Sequence, residues 1–151
     1  MDVLIDTNII VGSVHTDTTT HGEALSALES LRARGDRVCL VPQNLYEFWA
    51  VATRPKAYNG LGLSPLQANG VIYLIEELGT LLRDPPNLYD VWRQLVVSYG
   101  VSGKKTHDAR LVAAMAIHGI THILTFNTED FTRYPGIKVI RPASLDVLLS
   151  E

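Results

Sequence analysis

The sequence holds little of several things, and each shortage removes a class of protein. Its one cysteine, Cys39, sits in the apolar run Val38 to Val41. No internal disulfide is available, so nothing calls for an oxidising compartment. No stretch nears the ~18 apolar residues of a membrane span. Met1-Asp2-Val3 lacks the basic start of a secretory signal, and the expectation is a cytoplasmic protein with no membrane association. Basic residues are in deficit: 13 Lys and Arg against 16 Asp and Glu leave a formal charge of -3. That excludes a generic basic nucleic-acid binder, whose pI lies above ~9; contact with RNA or DNA must come from local basic patches or a bound cation. Glycine is missing from Asp6-Thr7-Asn8-Ile9, which follows the first apolar run, and this excludes the Gly-rich turn of a dinucleotide-binding module. Internal repeats, low-complexity runs and linkers are absent as well.

What is present is an ordinary globular composition. The 151 residues are 46% apolar and 19% charged, enough to bury a core, and the length fits one domain spanning 1–151. Val3-Leu4-Ile5 reads as a buried strand running into a helix through Ile9-Ile10-Val11. Glu23 to Arg34 places Leu25, Leu28 and Leu31 on one helical stripe and stops at Gly35. A second strand, Val38 to Val41, is broken by Pro42, and Asn44 reads as the cap of a helix ending at Arg54-Pro55. Ser64-Pro65 opens a helix to about Leu78; Leu81-Leu82 forms a short strand; Leu88 to Tyr99 is helical. His107 to His118 is apolar almost all round, so it belongs inside the fold. Strands at Ile123 to Phe126 and Ile137 to Ile140 follow, with a last helix, Leu145 to Leu149, capped by Ser144.

Short apolar strands alternating with helices specify an α/β domain with a central, mostly parallel sheet flanked by helices. Ligands in such sheets gather at the carboxyl ends of the strands. Asp6 ends the first strand and Asn127 follows the Ile123 to Phe126 strand, so both belong to one crevice.

Four acids stand at element ends. Asp6 follows an apolar strand, where an ionised carboxylate is costly without a partner; an N-cap role explains one isolated Asp equally well. Glu47 lies near the start of the Asn44 helix and Asp108 starts the most apolar helix. Each is also a routine partner of a helix dipole. Asp130 lies in a loop, Phe126-Asn127-Thr128-Glu129-Asp130-Phe131. Together they form a set of hard oxygen ligands suited to Mg²⁺ or Mn²⁺, able to activate water for phosphate chemistry.

In their order and setting these segments resemble the PIN-domain ribonucleases, in particular the VapC toxins of type II toxin–antitoxin pairs. Val3-Leu4-Ile5-Asp6-Thr7-Asn8 is similar to their opening strand with its first metal-ligand Asp, and Leu45-Tyr46-Glu47-Phe48 to the segment carrying their Glu. Thr106-His107-Asp108-Ala109-Arg110-Leu111-Val112-Ala113 resembles the third acidic motif, and Leu124-Thr125-Phe126-Asn127-Thr128-Glu129-Asp130-Phe131 the fourth, where Asn127 stands at a position some members give to an acid.

The resemblance implies a PIN-like fold and a metal-dependent endoribonuclease in which Asp6, Glu47, Asp108 and Asp130 hold Mg²⁺ or Mn²⁺. Thr7 and Asn8 would support the first ligand, and Asn127 would position substrate or a water. It implies products with a 5′-phosphate and a 3′-hydroxyl, a homodimer, and an antitoxin that wraps the toxin. Arg54, Lys56, Lys104, Lys105 and Arg110 lie beside or between the motifs, as handles for RNA or as solvated surface charges. Tyr46, Phe48 and Trp49 suit either base stacking or the core. Leu25, Leu28 and Leu31, with the apolar residues between Leu61 and Leu78, suit either a groove for an antitoxin helix or the core. A phosphatase of the haloacid-dehalogenase type needs a second Asp two residues after the first, where this chain has Asn8. A non-catalytic PIN-fold RNA-binding or scaffold module and a housekeeping RNA-processing nuclease are the remaining rivals.

Overall fold

The computed structural model describes residues 1–145. Five parallel strands form one sheet: β1 (Asp2–Ile5), β2 (Arg37–Leu40), β3 (Thr80–Leu81), β4 (His122–Leu124) and β5 (Lys138–Ile140), in the spatial order β3-β2-β1-β4-β5. The helices are α1 (Thr7–Val14), α2 (Thr20–Ala33), α3 (Pro42–Thr53), α4 (Pro65–Leu78), α5 (Leu88–Ser98) and α6 (Lys105–His118).

Successive strand side chains point to opposite faces, and each face here has its own core. Val3, Ile5, Val38, Leu40 and Leu124 face α1 to α4; Leu4, Cys39 and Ile123 face α5 and α6. Because both faces are covered, the strands read as continuous apolar runs and not as alternating ones. β1 is the central strand: Leu4 pairs with Cys39 on one side and Ile123 on the other, and all three are fully buried. Truncation of such a side chain, as in Leu4→Ala, costs about 2–5 kcal/mol.

Most expected elements form, with shifted ends. The helix expected to be capped by Asn44 starts three residues earlier, with Val41 as its cap and Pro42 at its first position. Asn44 is buried three residues inside the cap, where its Oδ1 accepts the Val41 N–H at 2.9 Å. Proline, which breaks the strand, also preorganises the helix start. α2 begins at Thr20, ahead of Glu23, and α6 begins at Lys105. The fourth strand ends at Leu124, although Thr125 N still donates to Ile140 O at 3.0 Å. Lys138 to Ile140 and Thr80-Leu81 form the remaining short strands. The α6 interior is buried as expected at Leu111 to Met115, while Ala116 faces solvent. The last expected helix lies, beyond Leu145, outside the described residues.

Candidate active site

β1 delivers Asp6 to the carboxyl edge of the sheet, and the next residue starts α1. The Asp6 backbone N–H donates to Leu124 O at 2.9 Å, which locks the junction to β4. Its carboxylate is only 8% exposed. Oδ1 accepts the Thr7 N–H at 2.7 Å and Oδ2 accepts the Thr125 hydroxyl at 2.7 Å. Asp6 is therefore the N-cap of α1 and a site carboxylate at once. Burial raises its pKa; the bonds from Thr125 and Thr7 oppose that, and the charges of Glu47 and Asp130 add to it.

Glu47 comes from α3, in its second turn and not its first, because α3 starts at Pro42. The favourable end of the helix dipole fades beyond the first turn, so it does not account for this acid. Glu47 Oε1 accepts the Thr7 hydroxyl at 3.3 Å and Gln43 Nε2 at 3.1 Å. Gln43 Nε2 also donates to His107 O at 2.7 Å, tying α3 to the start of α6. Asn44 Nδ2 donates to Ile5 O at 3.1 Å and to Thr7 Oγ1 at 3.3 Å, so buried amides of α3 brace both β1 and the Glu47 partner.

Asp108 sits in the first turn of α6, half-buried, with no hydrogen bond or ion pair among the described residues. Its pKa is pushed up to about 7 by burial first, then by the charges of Asp130, Asp6 and Glu47, with Lys105 opposing. Asp108 thus lies within electrostatic reach of the other three acids, and Asp6 of Glu47 and Asp130. Asp130 belongs to a single 3-10 turn, Thr128–Phe131, and its Oδ1 accepts from Lys105 Nζ at 2.8 Å.

Thr125 joins the elements. Fully buried, its hydroxyl donates to Asp6 and accepts Asn8 Nδ2 at 3.3 Å and Asn127 N at 3.0 Å. A hydroxyl has one proton and two lone pairs, so this one is fully used. Asn8 Oδ1 in turn accepts the Phe126 N–H at 3.3 Å. The Asn127 side chain is exposed and has no protein partner among the described residues.

The expected basic handles divide. Lys105 stands on the acidic cluster through Asp130, and Lys104 is exposed one residue before α6. Arg54 is exposed at the end of α3. Arg110 is not brought to the cluster: two positions past Asp108, it faces another side of α6 and pairs with Asp84 at 3.1 Å. Among the aromatics, Phe48 is fully buried, which removes it as a stacking platform; Trp49 is half-buried against the core, while Tyr46 is 64% exposed. Leu31 is core, whereas Leu25 and Leu28 line an apolar groove of about 280 Å³ with Ile75 and Leu78 of α4. The sequence reading does not single out Thr125 or Gln43, and it gives Asn44 only the role of a helix cap. Gln43 is four residues before Glu47, a helical spacing that brings two side chains together, and was the one available signal.

The donors fit a hard, water-carrying cation. Among the described residues no three His, Cys, Asp or Glu side chains close into a ready-made metal shell. Asp108 instead feels the charges of Asp130, Asp6 and Glu47, in keeping with Mg²⁺, which retains several waters and takes one or two carboxylates directly. Gln43 Oε1 is buried without a partner, an acceptor that a water in such a shell would satisfy. The charges of Asp130, Asp6 and Glu47, which add to burial in raising Asp108, are what a divalent cation neutralises.

A family model described as the PIN domain matches residues 3–137. Ribonuclease VapC24 of Mycobacterium tuberculosis strain H37Rv is 29% identical over 149 residues, covering 94% of this chain and 97% of that protein. DNA-bound VapBC from Salmonella typhimurium aligns with a TM-score of 0.68 at 16% identity, over 94% of this chain and 98% of that one. Mycobacterium tuberculosis VapC20, described as a sarcin-ricin loop cleaving toxin, aligns with a TM-score of 0.59 at 18% identity, over 80% and 86% of the two chains.

Proposed function

Since this chain belongs to the PIN domain family, we propose that it is a Mg²⁺- or Mn²⁺-dependent endoribonuclease and the toxin of a type II toxin–antitoxin pair. The supporting observation is the convergence of Asp6, Glu47, Asp108 and Asp130 at the carboxyl edge of the sheet, with Asp108 raised to about 7 by burial first and by like charge second. A full-length relative named as a ribonuclease supports the reaction class, and similarity to toxin–antitoxin structures supports the setting.

Asp6, Glu47, Asp108 and Asp130 would hold the cation, which supplies Lewis acidity for water and countercharge for the phosphate oxygens. The remaining steps rest on the chain itself. Thr7 and Thr125 hold Asp6 in one rotamer, and Gln43 and Thr7 do the same for Glu47. Such fixed geometry avoids reorganisation when charge moves. Without a cation Asp108 gives up its proton only near pH 7, and a bound cation would favour its ionised form. Asn8 supports Thr125, and the unpaired amide of Asn127 faces the substrate. Lys104, Lys105 and Arg54 would steer backbone phosphates toward a site that otherwise repels them. Cleavage leaves a 5′-phosphate and a 3′-hydroxyl.

The antitoxin would dock an apolar helix in the groove of Leu25, Leu28, Ile75 and Leu78, where exposed Leu74 extends the apolar surface. A homodimer and a cytoplasmic location complete the proposal. No helix among the described residues is long and apolar enough to cross a membrane.

The test is 5′-end mapping of total RNA after induction of the wild type or Asp108→Asn in a bacterial host. Growth arrest with new 5′-phosphate ends, absent with the variant, is the expected result; identical RNA ends in both would sink the assignment.

A further inference from the structure

Beside Asp6, and separate from the apolar groove, lies a second cleft whose lining includes none of the four acids. It begins at Thr7 and Asn8 and continues past Gly12, His15, Phe126 and Asn127, enclosing about 440 Å³. Its lining meets the site at Thr7, which bonds both Asp6 and Glu47. We infer that this cleft is a nucleobase subsite, which stacks one unpaired RNA base on Phe126 and reads its edge with Asn127 and His15; the inference rests on the ribonuclease reading for the identity of the polymer.

Three features support a base over another ligand. The first is a held aromatic wall. Phe126 is half-buried, its backbone N–H is tied to Asn8 Oδ1 at 3.3 Å, and its ring lies against Gly12, where a Cβ would stand 3.4 Å from Cε2. The ring thus rests against α1, and His21 Nδ1 bonded to Gly12 O at 2.9 Å braces that turn. A fixed ring loses little entropy on stacking, and every base offers a π-face to it.

The second is polar capacity left unused. The Asn127 amide carries donors and an acceptor with no protein partner among the described residues, and the half-buried His15 ring is likewise uncommitted. An amide and an imidazole match the mixed edge of a base.

The third is continuity with the reacting centre. Asn127 N and Asn8 Nδ2 both bond Thr125 Oγ1, which bonds Asp6, so the wall of the cleft and the first carboxylate share one buried hydroxyl. A base seated on Phe126 places its own phosphate beside the acids. Hydrogen bonds and stacking of this kind demand a splayed single strand, since a paired base exposes neither face.

Short single-stranded RNAs with one 2-aminopurine at successive positions provide the test, mixed with the full chain in Ca²⁺ and read by fluorescence quenching. Quenching at one position is expected, with Phe126→Leu weakening that RNA roughly 5- to 10-fold and Phe126→Tyr retaining it. Asn127→Ala should relax the base preference at the same position. Circular dichroism checks each fold. Should Phe126→Leu not fold, an abasic residue scanned through the RNA takes its place with wild-type protein, and one position must then weaken binding by a similar factor. Even quenching at all positions, or abasic residues tolerated everywhere, overturns the subsite. Cleavage is scored separately in Mn²⁺. Position-specific quenching without cleavage would keep the subsite and retire the ribonuclease reading, whereas cleavage without such quenching does the reverse.

Discussion

The Thr125 hydroxyl donates to Asp6 Oδ2 at 2.7 Å across 119 residues of sequence, inside a fully buried environment. That bond sets the carboxylate's rotamer and lowers the cost of keeping it charged, against the burial that raises its pKa. Thr125→Val keeps the shape and removes the bond. It leaves a buried carboxylate oxygen and the Asn127 N–H unpaired, a loss of about 1–3 kcal/mol. The denaturation midpoint should fall and cleavage should fall with it, while Thr125→Ser should recover both. A Val variant as stable and active as wild type would show that the node has no such role.

Asp6→Asn and Asp108→Asn remove charge from the proposed cation site without changing volume. Each should lower RNA cleavage by roughly 10³-fold, the scale of several kcal/mol of transition-state stabilisation by a bound cation. Calorimetric titration with Mn²⁺ should show weaker binding in both. Unaltered Mn²⁺ affinity in Asp6→Asn would take Asp6 out of the site.

The raised pKa of Asp108 predicts a pH-dependent stability. Its folded value of about 7 exceeds the unfolded value of 3.8, so between these limits the unfolded chain binds fewer protons and stability falls as pH rises. The deficit is absent below about pH 4, grows to about pH 7 and then levels. Asp108→Asn removes it. With solvent screening of a half-exposed group taken into account, the gain above pH 7 is on the order of 1 kcal/mol, a rise in Tm of roughly 2–4 °C. Thermal melts of both proteins at pH 4.5 and 8 in EDTA check this; equal differences at the two pH values would contradict it. Excess Mn²⁺ should raise Tm more for the wild type than for the variant.

Lys105 pairs with Asp130 at 2.8 Å and its charge also favours ionised Asp108. Both side chains are partly exposed, so Lys105→Ala should change stability by less than about 1 kcal/mol. Activity is a different matter. Without Lys105 the Asp108 pKa rises further, and the acidic limb of the pH–rate profile should move to higher pH. A profile that does not move would place Lys105 outside the electrostatics of the site.

Much of this protein was legible in one dimension. Val3-Leu4-Ile5, Val38 to Val41 and Ile123-Leu124 are apolar on both faces, and only a strand covered on both sides needs that pattern, so the parallel α/β architecture follows from the sequence. The four acids were visible too, Asp6 and Asp108 at the ends of their elements. Where helices begin was less visible: Pro42 both stops β2 and starts α3, and Asn44 works from inside the helix, which no local signal distinguishes from a cap at its start. The one-turn error mattered, because it made Glu47 a dipole partner when it stands in the second turn.

What only the tertiary structure decided is which side chains meet. Arg110 and Asp108 are two residues apart, yet helical geometry sends one to Asp84 and the other to the acids. Phe48 and Phe126 are both aromatics beside site residues, and packing buries the first entirely while leaving the second at the wall of a cleft. Thr125 and Gln43 gain their roles from partners as far as 119 and 64 residues away. Local hydrophobic pattern encodes which elements form, since burial is a property of each residue's own chemistry. Hydrogen bonds and charge coupling depend on distances between residues remote in sequence, and those exist only once the sheet has brought its carboxyl ends together.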